Sequence, residues 1–415
     1  MSRDFLPFAV PFIGEEEIAE VVATLRSGWI TTGPRTHDFE EKFAQYIGSK
    51  HAIAVNSCTA ALHLGLYAIG LRPGDRVITT PLTFAATAEV IHYFGAQSIF
   101  VDIDPETLNI DPEKVREYLE NKRTRRRVKA IIPVHIGGLP CDMDSILEIT
   151  RRYDLKVIDD AAHALPTRYK GRMIGSLGDI TAFSFYANKN ITTGEGGMAT
   201  TDNDEYAETM RIMRLHGISK DAWKRYTAKG SWYYEIHKPG FKYNLTDVAA
   251  AIGIHQLRKC DEFHRRRKEI ARMYHEGLAS LEEISLPRDD FDAAGKLEDG
   301  FDHAWHLYMI RLRLKKLTMA RDEFIDILKN RQIGTSVHFI PLHMQPFYQE
   351  KYGYRAEDFP NARADYEGIV SLPIYPRMSD EDVNYVISVI KETIKAHRKR
   401  SAFGYYAQEE AEVSL

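Results

Sequence analysis

Between His51 and Thr201 the chain repeats one pattern: a short apolar run, a cluster of small or polar residues, then a run with helical spacing. The apolar runs are His51–Val55, Arg76–Thr80, Ser98–Asp102, Val128–Val134, Lys156–Asp159 and Met198–Thr201. Helical runs over 59–68, 85–94, 112–119, 143–153 and 205–215 are interleaved with them. Strands that are apolar almost throughout are buried on both faces. Alternation of this kind predicts an α/β fold, with a mainly parallel central sheet flanked by helices on both sides. In such sheets ligands collect at the carboxyl ends of the strands.

The 415 residues suffice for a large domain and a smaller one. Residues 1–255 are read as the large domain, 256–397 as a small C-terminal α+β domain and 398–415 as a polar tail. Ile18, Val21, Val22 and Leu25 recur at helical spacing behind Glu15-Glu16-Glu17, predicting an opening helix packed on the core. Residues 217–240, with Trp223, Trp232, Tyr233 and Tyr234, look irregular, and one long helix is expected from Thr246 through Tyr274. The small domain is expected to hold strands at His306–Leu312 and Gly334–Phe339 and helices at Arg321–Lys329 and Asp380–Ala396.

A net charge of −4 offers no bulk field for nucleic acid. The three cysteines, Cys58, Cys141 and Cys260, are odd in number and widely spaced, which fits a reducing compartment. No apolar run reaches membrane-spanning length and the first residues lack a signal-type apolar core, so a cytoplasmic protein without membrane partners is expected. No Gly-x-Gly-x-x-Gly, Gly-Lys-Ser/Thr or His-Glu-x-x-His motif is present. His303, His306, His338 and His343 are too dispersed to predict a metal site.

Two strand ends carry the chemistry. Phe183-Ser184-Phe185-Tyr186-Ala187-Asn188-Lys189 runs into the turn Asn190-Ile191-Thr192-Thr193-Gly194-Glu195-Gly196-Gly197. A lysine at such a mouth is suited to Schiff-base chemistry with a carbonyl. Val157-Ile158-Asp159-Asp160 ends a second strand 29 residues earlier, counted from Asp160 to Lys189. A carboxylate with such a lysine is the minimal kit for pyridoxal 5'-phosphate: one holds the aldehyde carbon, the other keeps the ring nitrogen protonated. A solvated strand-end lysine and a helix N-cap explain either residue alone; both on strand ends of one sheet favour the cofactor. Ser57-Cys58-Thr59-Ala60 opens a helix where phosphate could bind, or is a plain cap. Ser184 could reach the same phosphate. Phe84 could stack on a flat ring or fill the core, and His163 could contact that ring or be a satisfied core histidine.

These motifs resemble those of the DegT/StrS-type nucleotide-sugar aminotransferases. The likeness extends over residues 5–395 and includes Gly28-Trp29-Ile30-Thr31-Thr32-Gly33-Pro34, Asn56-Ser57-Cys58-Thr59-Ala60-Ala61-Leu62, Asp159-Asp160-Ala161-Ala162-His163-Ala164 and Gly240-Phe241-Lys242-Tyr243-Asn244-Leu245-Thr246-Asp247. Gly334-Thr335-Ser336-Val337-His338-Phe339 fits as well. The resemblance implies a fold-type-I pyridoxal phosphate enzyme, a homodimer with shared active sites. It implies Lys189 and Asp160 as catalytic residues and Thr59, Ala60, Ser184, Phe84, His163 and Asn244 as cofactor contacts. Trp29, Thr31, Tyr186, Lys242, His303, Trp305 and His338 would meet the substrate, although His303 and Trp305 could equally pack the small domain's edge. Lys242-Tyr243-Asn244 and His303-Ala304-Trp305-His306 resemble the branch that aminates UDP-4-keto-arabinose for lipid A, whereas Tyr186 and Phe84 stand where that branch has histidine and tryptophan. The implied reaction moves the amino group of glutamate to a keto-sugar nucleotide, leaving 2-oxoglutarate. A related sugar dehydratase would carry histidine at position 189, and a non-catalytic regulator would not need the Asp160–Lys189 pair.

Overall fold

The computed structural model describes residues 4–218, 234–289 and 300–399. The tail from residue 400 and most of the irregular stretch, including Trp223, Trp232 and Tyr233, lie outside the described residues. Two helices come first, α1 (Glu15–Ser27) and α2 (Pro34–Ile47). The predicted alternation follows as β1 (His51–Val55), α3 (Cys58–Ala68), β2 (Arg76–Thr79), α4 (Ala85–His92), β3 (Gln97–Phe100), α5 (Pro112–Glu120), β4 (Val128–Ile132), α6 (Met143–Tyr153) and β5 (Lys156–Asp160). A short hairpin, β6 (Arg168–Tyr169) and β7 (Arg172–Met173), precedes β8 (Ile180–Ser184), β9 (Gly197–Thr201) and α7 (Asp204–Met213). The large sheet has the order β1-β9-β8-β5-β4-β2-β3. The pairs from β3 to β8 are parallel, and β9 runs antiparallel to both its neighbours.

Period-two alternation sorts the strand side chains between two cores. Val157, Ile131 and Phe183 join the core around Phe39 and Phe43. Ile158, Ile132, Ile180 and Ala182 join the core under α3, with Leu62 and Leu64. The alternation continues into the carboxylates that end β5. Asp159 turns to the Phe183 side, where Thr181 Oγ1 donates to it at 3.0 Å. Asp160 turns to the α3–α4 side, where Thr87 Oγ1 donates to it at 2.7 Å.

The expected long helix is two, α8 (Asp247–Arg258) and α9 (Cys260–Leu278), parted at Lys259. Lys259 Nζ is drawn to Glu16 at 2.9 Å and to buried Glu17 at 2.8 Å on α1, a tertiary contact that periodicity does not encode. Cys260 and Phe263 of α9 pack in the first core, while Ile270, Ala271, Tyr274 and Leu278 pack in a separate one. That separate core covers a small antiparallel sheet of β10 (Ile284–Ser285), β12 (Tyr308–Leu312) and β13 (Ile369–Leu372); β11 (Phe301–Asp302) pairs instead with the hairpin strand β6. Helices α10 (Arg321–Asn330), α11 (Pro346–Tyr352), α12 (Pro360–Gly368) and α13 (Asp380–His397) complete the described residues. The expected strand at 334–339 does not form. Gly334 N–H bonds Leu6 and Ser336 bridges Ser371, so the segment is shared between two partners with no continuous ladder. The opening helix forms as expected and packs on α8, with Val21 and Val22 half-buried, but part of its apolar stripe departs from expectation. Its inward residues are Glu17 and Thr24, while Ile18 and Leu25 are 47% and 54% exposed. Glu17 can be buried because Gln256, Lys259 and the Gly14 N–H all donate to its carboxylate.

Candidate active site

A cavity of about 420 Å³ opens at the carboxyl ends of β5 and β8, within the size of small-molecule sites. Lys189 and Asp160 both line it, with Thr59, Phe84, His163, Ser184, Tyr186 and His338 of the expected contacts. Lys189 is held by the loop that leaves β8. Its N–H donates to Tyr186 O at 3.0 Å, and two backbone bonds, Thr193 to Phe185 and Phe185 to Gly196, close the loop. The next residue, Asn190, donates to Leu165 O and Ala304 O, and its Oδ1 meets His306 Nδ1 at 3.0 Å. Burial lowers the Lys189 amine to about 8, against the opposing pull of Cys58 and Asp160. Burial raises the Asp160 carboxyl above its ordinary range, while the Thr87 hydroxyl, the Ala162 N–H and Lys189 act against that rise.

Helix α3 brings its N-terminus to the cavity, and the first-turn N–H groups there have no partner four residues back. Ser57 caps the helix, its Oγ accepting the Ala60 N–H at 3.1 Å. Ala60 is therefore engaged in the cap and buried, and it is not among the lining residues. Cys58 and Thr59 are the positions whose N–H groups can face an anion. Gly197 allows this approach: a Cβ there would lie 2.6 Å from Cys58 N. Phe84 is 63% exposed, so it is a wall of the cavity and not a core residue. His163 is buried, and its Nδ1 accepts the Gly137 N–H at 3.3 Å, which leaves the ring hydrogen on Nε2. Burial keeps His163 neutral and likewise lowers His338 to about 4. His306, dismissed with the dispersed histidines, lines the cavity with its ring centroid 4.5 Å from that of His163.

His303 and Trp305 do not meet the cavity. Their rings stack at 4.0 Å and both are buried, Trp305 in the small-sheet core with Tyr308 and Tyr274. A bulky indole is worth more packed there than on a polar rim, and only His306 of that run reaches the site. Trp29, Thr31, Lys242 and Asn244 are also absent from the lining of their own chain's cavity. They gather beside β1: Asn244 Nδ2 donates to Thr32 Oγ1, Asp247 N–H to Thr31 O, and Lys242 Nζ to Asn244 Oδ1. The sequence places Thr83 and Thr87 at a strand-to-helix junction, with Thr83-Phe84 among the family motifs, but gives the two threonines no role. Their i,i+4 spacing across the start of α4 was the available signal.

The donor set fits a flat, phosphate-bearing aldehyde cofactor: a helix N-terminus for the phosphate, a buried carboxylate for a ring nitrogen, and a softened lysine amine in the same cavity. Fold and site together define an aminotransferase. Residues 11–391 match the DegT/DnrJ/EryC1/StrS aminotransferase family, and the chain belongs to it. It is 56% identical over 398 residues to an uncharacterized protein of Methanocaldococcus jannaschii, covering 96% of this chain and 100% of that one. It is 51% identical over 392 residues to the spore coat polysaccharide biosynthesis protein SpsC of Bacillus subtilis, covering 94% and 97%. Among solved structures it resembles Spr1654 of Streptococcus pneumoniae, assigned as a sugar aminotransferase. The PLP-form of that protein aligns with a TM-score of 0.84 at 33% identity, covering 94% of this chain and 99% of that one. Its PMP-form aligns with the same TM-score.

Proposed function

We propose that this aminotransferase uses pyridoxal 5'-phosphate to move the amino group of glutamate onto a nucleotide-linked keto sugar, in building a cell-surface polysaccharide or lipopolysaccharide. The observation that carries this reading is one cavity walled by Lys189, Asp160 and the N-terminus of α3. Bound cofactor would supply the electron sink and the temporary amino carrier. Lys189 Nζ would bind it and then accept and return a proton, a task suited to an amine near 8. Asp160 would hold the ring nitrogen's proton in place. Thr59, Ser184 and the first turn of α3 would hold phosphate; Phe84 and His163 would flank the ring. Tyr186 and His338 remain as contacts for the acceptor.

Trp29, Thr31, Lys242 and Asn244 would serve the cavity of a second copy. The exposed Ile18, Leu25 and Ile30 give apolar area that a homodimer would cover. Among the described residues no helix is long and apolar enough to cross a membrane, and a cytoplasmic location suits nucleotide-linked substrates. A UDP-linked 4-keto sugar is the first substrate to try. Its support is Lys242-Tyr243-Asn244, since the buried His303 and Trp305 cannot frame a sugar pocket. The test is mass spectrometry of products from UDP- and dTDP-linked 3-keto and 4-keto sugars with glutamate. Amination at C4 with UDP preferred is expected. A dTDP preference or amination at C3 overturns the finer assignment, and no product from any nucleotide sugar overturns the acceptor class.

A further inference from the structure

Asp160 is 6% exposed, and its two oxygens have different partners. Oδ1 accepts the Ala162 N–H at 3.1 Å. A backbone N–H can only donate, so this bond has one sense. Oδ2 faces Thr87 Oγ1 at 2.7 Å, and Thr87 Oγ1 faces Thr83 Oγ1 at 2.7 Å. Thr87 is wholly buried and Thr83 is 2% exposed. A hydroxyl has one hydrogen. With Asp160 ionised, Thr87 must give its hydrogen to the carboxylate and receive that of Thr83. With Asp160 protonated on Oδ2, the bonds reverse and the Thr83 hydrogen turns away from Thr87. Thr83 lines the cavity, so the proton state of Asp160 is written on the cavity wall two hydroxyls away.

We propose that Thr87, aligned by Thr83, is a positioning residue for the reaction: the two hydroxyls form a directed chain that holds Asp160 oriented and ionised for its proposed role at the cofactor's ring nitrogen. The proposal rests on the reading of Asp160 given above. A hydrogen bond to a charged acceptor is stronger than the reversed, neutral bond, so the chain favours the carboxylate. Burial pushes the Asp160 carboxyl up, and the Thr87 hydroxyl heads the groups that oppose it. Lys189, His135, Cys58 and Cys141 are the other titratable groups coupled to Asp160. Lys189 and His135 favour its charge, and among the described residues neither side chain hydrogen-bonds its carboxylate; the His135 backbone N–H donates to the Asp160 carbonyl instead. Removing the Thr87 hydroxyl would therefore leave the Ala162 N–H as the one hydrogen bond on the buried carboxylate among the described residues.

The experiment is a carbon-13 NMR titration of aspartate carboxyls in cofactor-free protein, with the Asp160 signal assigned by its loss in Asp160→Asn. Thr87→Val removes the hydroxyl at nearly constant shape, and its Asp160 should titrate about one unit higher, tenfold in the equilibrium. Thr87→Ser should restore the wild-type value, and Thr83→Val should give a smaller rise. In the loaded enzyme, Thr87→Val should slow the half-reaction with glutamate through kcat and leave KM unchanged. An Asp160 titration unmoved in folded Thr87→Val overturns the proposal. Should that variant fail to fold, an unmoved titration in Thr83→Val overturns it. Asp160→Asn separates the two ideas: a full donor half-reaction there removes the catalytic assignment of Asp160, while the titration still judges the threonine chain.

Discussion

Lys189 and Asp160 reach one cavity for reasons that act on single residues. Strand alternation turns Asp160, and not its neighbour Asp159, toward the α3–α4 face, and a closed loop presents Lys189. Lys189→Ala should therefore lower turnover on the order of 10⁴-fold or more and leave the circular dichroism spectrum unchanged; near-wild-type turnover in the purified variant would remove the assignment. The softened amine predicts a pH dependence. With its value lowered to about 8 from the ordinary 10.5, Nζ is mostly protonated below pH 8 and mostly free above it. Capture of pyridoxal phosphate by cofactor-free protein, followed by visible absorbance, should rise with pH with a midpoint near 8. The stability effect has the same origin. Unfolding returns the amine to its ordinary value, so the unfolded chain binds the extra proton between about pH 8 and 10.5, and stability relative to a Lys189→Met variant should rise across that window. A capture midpoint near 10 would show that burial does not tune this lysine.

At the scale of elements, the departures from expectation share a cause. Apolar periodicity identifies a helix or strand but not which neighbour it meets. On α1 only the Ile18 and Leu25 side faces outward, while Val21 and Val22 stay half-buried and Glu17 is buried, where three donors offset the cost of its carboxylate. The run from Thr246 to Tyr274 broke because Lys259 is held by α1. Trp305 belongs to a core, so Trp305→Ala should cost about 3–5 kcal/mol of stability, read from the urea midpoint. The kcat/KM of the folded remainder for a keto-sugar nucleotide should change less than about fivefold, below the cost of a lost substrate hydrogen bond. A stable variant with a large loss in kcat/KM would place Trp305 at the substrate after all.

The whole molecule raises the question of the second copy. Ile18, Leu25 and Ile30 are exposed, and Trp29, Thr31, Lys242 and Asn244 do not line the cavity that holds Lys189. Ile18→Glu combined with Leu25→Glu should shift sedimentation from dimer to monomer and abolish turnover, and a fully active monomer at assay concentration would contradict shared active sites. The amino-acid sequence by itself determined the α/β class and the succession of strands and helices from His51 to Thr201, and it singled out the lysine proposed to hold the cofactor, because each depends on local periodicity and on motifs contiguous in the chain. It also located the helix start at Ser57, proposed above to hold the phosphate. Tertiary structure alone decided which of two adjacent carboxylates meets the cavity, that His306 and not Trp305 lines it, and that Thr83 and Thr87 stand behind Asp160. Those outcomes depend on contacts between residues far apart in the chain, as between His163 and Phe339 at 6.0 Å or between His163 and His306 at 4.5 Å. Sequence spacing carries no distance at that separation; only the packed sheet, with its side chains alternating between two buried faces, supplies it.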